Sequence, residues 1–261
     1  MGPRAFVLNI PQALRDIGSP HRDALEAAWG PIRPELGWQP PDLDYLFLCF
    51  TNRCGSNYLA QLLATTGAFN EAGEFFNAPT VFEHAVPRGL RSLAAYFSVL
   101  PDLVPHEGRM AAKASIDQLV MLADAGILRA LGARAHYLLL ERQDRLGQAI
   151  SRVIASQNGR WTTAHKSDVP DSALKYDRAA IDAELAKIGL ANSAFYLFFR
   201  ANGIVPIHIA YEALLGDPDR TLQMVADEFG INHLAFSPEK ITIHRQSTSV
   251  NSDWRARHLT E

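Results

Sequence analysis

The sequence predicts an α/β fold, a single domain in which helices flank a central parallel sheet. Three short apolar runs carry this prediction: residues 45–50, 135–140 and 204–210. A helical pattern follows each run, closely after the first two and a few residues later after the third. Runs of this length are typical of strands buried on both faces, as in parallel sheets. Alternating strands and helices place helices on both faces of such a sheet. We therefore expect a ligand at the carboxyl ends of the strands.

The N-terminal region differs in composition from the rest of the chain. Residues 1–41 hold seven of the fifteen prolines. Proline interrupts both helices and strands, so we expect an irregular N-terminal arm that packs on the domain and contains one short helix at about 21–29. The main domain is then expected over residues 42–261.

The first apolar run leads directly into a turn rich in small residues. The turn, residues 51–57, reads Thr-Asn-Arg-Cys-Gly-Ser-Asn, and a leucine-rich helical pattern follows it and stops at Gly67. Backbone N–H groups converge where such a turn enters a helix, the helix dipole favours negative charge, and Arg53 adds a positive charge. The junction therefore predicts an anion-binding site.

Commoner anion loops do not explain this turn. The chain contains neither Gly-x-x-x-x-Gly-Lys-Ser/Thr nor Gly-x-Gly-x-x-Gly, and Ala60 stands where a phosphatase loop would need its arginine. The turn resembles the 5′-phosphosulfate loop of sulfotransferases, whose usual form is Pro-Arg/Lys-Ser-Gly-Ser/Thr-Thr. Taken alone, an ordinary Gly/Ser turn between a strand and a helix explains it equally well.

The end of the second apolar run carries a second candidate anion site. Sulfotransferases bind the 3′-phosphate of their donor with an arginine at this position and a serine eight or nine residues later, and Arg142 and Ser151 fit that spacing. A helix is expected from about 144 to 156, so the serine lies two turns along it and faces back to the strand tip. A surface helix with scattered charges is the alternative for this segment alone.

The C-terminal half completes the alternation. An amphipathic helix is expected over about 181–199, and the third strand should have Pro206 at its start or lie at a sheet edge. Asp217-Pro218 then begins a helix that stops at Gly230.

Further blocks make the resemblance specific. In order, they are Gly67 with Glu71-x-x-Glu74-Phe75-Phe76, Lys113, Arg142-x-Asp144 with Gln148-Ala149-Ile150-Ser151, Ala155-x-Gln157-x-Gly159-x-Trp161, Tyr211-Glu212, and Arg245-Gln246 with Trp254. With these blocks the chain resembles the bacterial trehalose 2-sulfotransferase family from about residue 45 to 258, some four-fifths of its length. The resemblance implies the P-loop-NTPase-like sulfotransferase fold and, for the assembly, a homodimer.

The resemblance also implies the reaction and its participants. A sulfuryl group would pass from 3′-phosphoadenosine 5′-phosphosulfate to a hydroxyl of a carbohydrate, a glycolipid or another small acceptor, and would leave adenosine 3′,5′-bisphosphate, with no metal ion. The 3′-phosphate would lie on Arg142 and Ser151, the adenine near Tyr211, and Arg245 would close over the donor. The 5′-phosphosulfate would be held by Arg53, Cys54, Gly55, Ser56 and Asn57.

The same resemblance gives the catalytic roles. Glu74 would be the general base, because the family's proposed base directly precedes a Phe-Phe pair, and Arg53 and Lys113 would stabilise charge on the leaving phosphate. The acceptor would contact Glu71, Phe76 and Trp161. For the two glutamates a solvated acidic loop is the alternative, and core packing explains the Phe-Phe pair equally well. His84 and His106 are further conceivable bases.

Two residues of the first loop depart from the family pattern. Cys54 replaces the usual serine, and beside an arginine and a helix N-terminus its thiol is expected to have a lowered pKa and to oxidise readily. Asn57 replaces a threonine whose hydroxyl normally meets the sulfate. Its amide can still donate a hydrogen bond, so we expect donor binding to survive.

Composition limits the alternatives. The formal net charge of −3 and the isoelectric point near 6.3 disfavour nucleic acid as a partner. The apolar runs are too short to span a membrane, no signal peptide is evident, and the two cysteines form no disulfide framework, so a cytoplasmic protein is expected. Two other functions remain open: a kinase-like nucleotide enzyme, and a binding module that keeps the donor pocket without transfer.

Overall fold

A computed structural model describes residues 8–104, 108–161, 169–243 and 248–261. Its centre is a four-stranded, wholly parallel sheet in the order β2-β1-β3-β4. The predicted α/β fold, one domain with a parallel sheet flanked by helices, is confirmed. The strands are β1 (Asp44–Phe50), β2 (Arg109–Ala114), β3 (Ala135–Glu141) and β4 (Ile207–Ala210).

Helices cover both faces of the sheet. In chain order they are α1 (Gln12–Arg15), α2 (Pro20–Trp29), α3 (Ser56–Thr65), α4 (Ala78–Ala85), α5 (Leu93–Val99), α6 (Ile116–Asp124), α7 (Ile127–Leu131), α8 (Arg145–Asn158), α9 (Arg178–Ala201), α10 (Tyr211–Gly216), α11 (Pro218–Glu228) and α12 (Ser249–Thr260). Short 3₁₀ turns lie at Val86–Arg88, Leu100–Leu103, Gly132–Arg134, Asp171–Ala173 and Pro238–Lys240.

The central strand β1 separates two apolar cores. Its side chains alternate between the two faces, as in any strand, and all but the first are buried. One face packs with α2, α4, α5, α6, α7 and α9, and the other packs with α3, α10 and α11. A third cluster joins α8, α9 and α12, where Trp254 lies against the aromatic ring of Tyr176. Because β1 is covered on both sides, the loop that follows it starts from a fixed point.

The strand register brings the functional ends of the sheet together. Cys49 of β1 lies opposite Ala114, and Phe50 lies opposite Leu140. At the end of β3, Glu141 lies opposite Ala210, the last residue of β4. In a parallel sheet all carboxyl ends share one edge. The loops after β1, β3 and β4 therefore emerge side by side, with Lys113 of β2 beside them.

Most strand and helix positions agree with the sequence-based expectations. The helix expected at 144–156 is α8, the amphipathic pattern at 181–199 is α9, and Pro206 directly precedes β4. The sequence did not predict β2, which reads Arg-Met-Ala-Ala-Lys-Ala and lacks β-branched residues. Pairing with β1 makes it a strand. On its outer side, Gly73 forms a parallel bridge with Ala112, and the Asn70 amide bonds to the backbone of Ala111 on both its N–H (2.7 Å) and C=O (2.9 Å).

Residues 8–41 pack against α6. Leu14 and Leu25 are fully buried in the same core as β1. The Ser19 hydroxyl donates to Asp117 at 2.6 Å, and Arg22 pairs with Asp124 at 2.6 Å. The segment holds two helices, α1 and α2, rather than the one expected. A division of the chain at residue 42 stays a prediction.

Within the described ranges, none of the helices combines the length and the apolar character needed to cross a bilayer.

Candidate active site

The loop after β1 has an unusual backbone. Arg53 has a φ of 67°, the one positive value outside glycine among the described residues, and Gly55 follows at 96°. Both angles lie in the left-handed region, which costs a non-glycine residue about 1 kcal/mol or more. The loop enters α3 at Ser56, and by helix geometry the first N–H groups of a helix have no acceptor within it. A strained turn at a helix N-terminus is suited to binding an anion.

The guanidinium of Arg53 turns toward α8. Its Nε donates to the hydroxyl of Ser151 at 2.9 Å, and its Nη1 donates to the carbonyl of Trp161 at 2.6 Å. Burial, and secondly the nearby guanidinium of Arg142, lower the pKa of Arg53 from its ordinary value. Two neighbouring guanidiniums repel each other, and a bound anion near both would offset that repulsion.

The loop after β3 lies against the first loop. Arg142 Nη1 approaches the carbonyl of Arg53 at 3.5 Å, and Arg142 Nη2 donates to Asp144 at 3.2 Å. Its Nε is buried and has no hydrogen-bond partner in the part of the chain that the structure describes. Gln148, fully buried on α8, ties the loops together by donating to the Thr51 hydroxyl and to the Asn52 carbonyl, both at 2.8 Å.

Asp144 is the N-cap of α8 and the centre of a charge cluster. Its carboxylate accepts hydrogen bonds from the N–H of Gly147 (3.0 Å), from Arg142 (3.2 Å) and from Arg255 of α12 (2.6 Å). Burial alone raises the pKa of Asp144, but the hydrogen bonds from Arg255 and Gly147, with the charges of both arginines, outweigh burial and lower it below its ordinary 3.8. Asp144 is therefore a fixed negative charge that orients Arg142.

Across the site, a polar chain joins β2 to the first turn of α3. Lys113, only 6% exposed, donates to Asn57 Oδ1 at 2.6 Å and to Glu74 Oε1 at 3.2 Å. Asn77 donates to Glu74 Oε2 at 2.8 Å and accepts from the buried amide of Gln118 at 2.7 Å. Because Lys113 occupies its oxygen, Asn57 has its amide N–H groups left to donate elsewhere. Glu74 is held from both sides.

Some expected site residues lie apart from this cluster. Phe76 is fully buried and stacks against Phe97 at a centroid distance of 6.3 Å, so core packing, the alternative reading, describes it. Its ring has no surface to offer a sugar. Glu71 lines a cavity of about 260 Å³ with Gln61 and Lys240, beside the C-terminal half of α3. Two residues lie between it and Glu74 in the sequence, so the two Cα atoms are at most about 11 Å apart. Trp161 is 38% exposed at the edge of the site.

The expected reactivity of Cys54 is wrong. The thiol is fully buried, and burial raises its pKa to about 12, although hydrogen bonds from the loop backbone and the charge of Lys113 act in the opposite direction. Loss of hydration outweighs the nearby positive charges. Cys54 is therefore a packing residue under the loop and not a reactive thiol.

Three other candidate residues remain. Arg245 and His106 lie outside the described residues. His84 is on α4, where Arg88 donates to its carbonyl. Among the residues that the structure describes, no group of three or more His, Cys, Asp or Glu side chains is placed to hold a metal ion.

The two loops therefore lie side by side at the carboxyl edge of the parallel sheet. Comparison with known proteins gives the family. The model of the Stf0 sulphotransferase family matches residues 114–261, more than half of the chain, and the chain belongs to that family. The matched segment contains Arg142, Ser151 and Tyr211. It begins after the loop that follows β1 and after Glu74.

A solved structure is also similar to the chain. It is the crystal structure of a sulfotransferase from Alicyclobacillus acidocaldarius, with 13% sequence identity, 82% of this chain and 90% of that chain covered, and a TM-score of 0.47. No curated protein matches the chain.

The site contains residues that the sequence did not single out. They are Asn77, which holds Glu74, Gln118, which holds Asn77, Asp144, which holds Arg142, Arg255, which holds Asp144, and Gln148, which joins the two loops. Asp144 and Gln148 belong to the sequence blocks that contain Arg142 and Ser151. Their positions near these two residues were the sequence signals that could have indicated their roles. Arg255 is 111 residues from its partner, so no local pattern could have found it.

Proposed function

We propose that the protein is a sulfotransferase that moves a sulfuryl group from 3′-phosphoadenosine 5′-phosphosulfate to a hydroxyl of a carbohydrate or another small acceptor. The observation that carries the proposal is the direct contact of the two anion loops. Arg53 of one loop bonds Ser151 behind the other at 2.9 Å, and Arg142 lies at the Arg53 carbonyl. A nucleotide with anionic groups on both its 3′ and 5′ sides fits two adjoining cationic loops.

The residues around the loops suit this donor. The buried Nε of Arg142 has no hydrogen-bond partner among the described residues, and a 3′-phosphate would offer it an acceptor. The turn of residues 53–57 and the N-terminus of α3 would receive the 5′-phosphosulfate. Tyr211 lies between the loops, with the Arg142 guanidinium 5.5 Å from its ring centre, and would border the adenine.

The transfer reaction would use the residues across from the two loops, Glu74 and Lys113. The acceptor oxygen attacks sulfur, the bond from sulfur to the 5′-phosphate oxygen breaks, and Glu74 takes the hydroxyl proton. Lys113, which contacts both Glu74 and Asn57, would neutralise the charge that grows on the leaving phosphate. The amide of Asn57 would donate to the sulfate in place of the threonine hydroxyl.

Nucleotide binding tests the donor assignment. Adenosine 3′,5′-bisphosphate should raise the melting temperature, because ligand at ~100 times its dissociation constant adds ~2.7 kcal/mol to the free energy of unfolding. ATP with magnesium is the comparison ligand and should stabilise the protein much less. Equal or greater stabilisation by ATP would instead favour the kinase-like enzyme, which the loop disfavours because it lacks the Lys-Ser/Thr pair.

Turnover tests the rest of the proposal. Disaccharides, glycolipid headgroups and small alcohols are offered as acceptors with the labelled donor, and product formation is measured. Donor binding without transfer to any acceptor would favour the binding module. We also propose a cytoplasmic location, consistent with two buried free cysteines, and a possible homodimer, which sedimentation of the purified protein would test.

A further inference from the structure

We propose that Tyr211 and Glu212 act as a brace that positions the two anion loops, and that Glu212 sets recognition of the 3′-phosphate without touching the ligand. This inference deepens the proposed function and rests on it. Glu212 is a positioning residue: it acts through the backbone that carries Arg142.

The brace stands at the junction of β4 and α10. Ala210 ends β4 opposite Glu141, the residue before Arg142, and α10 begins at Tyr211. The pair therefore leaves the sheet edge directly beside the loop that follows β3. Among the described residues β4 pairs with β3 alone and is the edge strand on this side of the sheet.

Glu212 accepts two hydrogen bonds from the loop after β3. Its Oε2 accepts from the N–H of Gln143 at 3.0 Å, and its Oε1 accepts from the N–H of Asp144 at 3.1 Å. These two N–H groups lie ahead of α8, where a helix offers no acceptor of its own. Both oxygens of one carboxylate thus fix the two peptide planes that follow Arg142, and with them the direction in which its side chain leaves the chain.

Tyr211 contacts both loops. The Arg142 guanidinium lies 5.5 Å from the centre of its ring, which faces the loop after β3. A Cβ added to Gly55 would lie 2.2 Å from the same ring, so the ring also packs closely against the loop after β1. The dipeptide therefore spans the gap between the two candidate phosphate positions.

Because Glu212 is charged, two possible roles for it predict opposite changes in nucleotide affinity when the charge is removed. A carboxylate close to a phosphate site repels the phosphate, so its direct electrostatic effect is to weaken binding. Removing the charge should therefore strengthen nucleotide binding if Glu212 acts only through its field. If Glu212 positions Arg142, removing it should weaken binding instead, and only for nucleotides that carry the 3′-phosphate.

The experiment compares two nucleotides on three proteins by calorimetry. The nucleotides are adenosine 3′,5′-bisphosphate and adenosine 5′-monophosphate, and the proteins are the unmodified chain, Glu212→Gln and Asp219→Asn. Asp219 is an exposed carboxylate in the first turn of α11, seven residues after Glu212, so its variant controls for loss of one carboxylate charge. In Glu212→Gln one acceptor oxygen becomes an amide N–H donor that faces a backbone N–H.

We expect Glu212→Gln to bind the bisphosphate about tenfold more weakly, the equivalent of one hydrogen bond to a charged group, and the monophosphate unchanged. Asp219→Asn should bind both as the unmodified chain does. Unchanged or tighter bisphosphate binding by Glu212→Gln overturns the inference, and so does an equal loss for both nucleotides. If the unmodified chain itself shows no preference for the bisphosphate, the proposed function fails and the inference fails with it.

Amide hydrogen exchange separates a local effect from general unfolding. Exchange at Gln143 and Asp144 should accelerate in Glu212→Gln, while amides of the β1 core keep the protection of the unmodified chain. Unchanged exchange at both amides overturns the inference. Protection lost throughout the sheet overturns it as well, because the variant would then act through global stability.

Discussion

The loop after β1 and the loop after β3 lie side by side at one edge of the sheet but hold their shape by different means. In the first, the backbone is in strained, left-handed conformations at Arg53 and Gly55, and a neighbouring ring presses on it. In the second, carboxylates of Asp144 and Glu212 fix an ordinary backbone through hydrogen bonds. The first loop therefore depends on shape and should tolerate no added atom. The second depends on charge and should respond to pH.

Adding one methyl group at Gly55 should give the largest loss of stability. Gly55→Ala combines the strain of a φ of 96° with a Cβ 2.2 Å from the Tyr211 ring, so the free energy of unfolding should fall by ~2–6 kcal/mol. Gly67→Ala is the matched control: its φ is 75°, but nothing lies within 4 Å, and it should cost only ~1–3 kcal/mol. Urea denaturation measures both. Equal losses would show that contact with Tyr211 adds nothing.

Replacing Glu74 should lower the rate of transfer and leave nucleotide binding by the two loops unchanged. Glu74→Gln keeps the shape of the side chain but cannot take a proton, so turnover should fall by ~10²–10⁴ in single-turnover as well as steady-state measurements. Binding of adenosine 3′,5′-bisphosphate should stay near normal. Glu71→Gln, the comparison variant, should act mainly through affinity for the acceptor. Transfer at nearly the normal rate in Glu74→Gln would move the base to Glu71, His84 or His106.

Removing Arg142 should affect one half of the donor only. Arg142→Ala should cost adenosine 3′,5′-bisphosphate ~2–5 kcal/mol of binding free energy, because a partly desolvated charged pair loses one partner. Adenosine 5′-phosphosulfate, which has no 3′-phosphate, should lose much less. Arg145→Ala, on the more exposed arginine of the next turn, is the control. Calorimetry that shows equal losses for the two nucleotides would mean that Arg142 does not contact the 3′-phosphate.

The loop after β3 should contribute less to the stability of the protein in acid, and this is the smallest of the expected effects. The pKa of Asp144 is lowered in the folded protein, so its stabilising contribution is present above the ordinary pKa of 3.8 and is lost as the pH falls through the folded value below it. The melting temperatures of the unmodified chain and Asp144→Asn should therefore converge from pH 6 toward pH 3. Contributions of other carboxylates cancel in the difference. A constant difference would leave Asp144 without a role in holding the loop.

The sequence predicted the parts of the fold that apolar periodicity encodes. Both β1 and β3 are continuous apolar runs, so their ends, and the loops that follow them, could be located. The alanine-rich β2 could not be recognised, because its strand conformation depends on pairing with β1 and with residues 70–73. The mostly polar α12 was missed for a similar reason: packing of Trp254 against α8 and α9 stabilises it, not a regular apolar face.

The site was predictable where one residue type has one chemical use. Arg53, Arg142 and Ser151 could be located by chemistry and spacing, and the structure brings them within one cluster. The environment of a side chain could not be read in the same way. For Cys54 the sequence shows the neighbouring arginine and helix, but burial, which decides its pKa, depends on the packing of α3, α10 and α11 behind it. Partners distant in sequence, such as Arg255 for Asp144, were equally hidden.

The burial of both cysteines gives the protein a built-in reporter of its own opening. Cys49 lies inside β1 and Cys54 directly under the first loop, and burial raises the pKa of both thiols. A thiol-reactive dye can then label them only in molecules whose sheet has opened. The labelling rate therefore measures how often this part of the sheet opens, and the proposed nucleotide, if it binds the loop after β1, should slow labelling without any engineered probe.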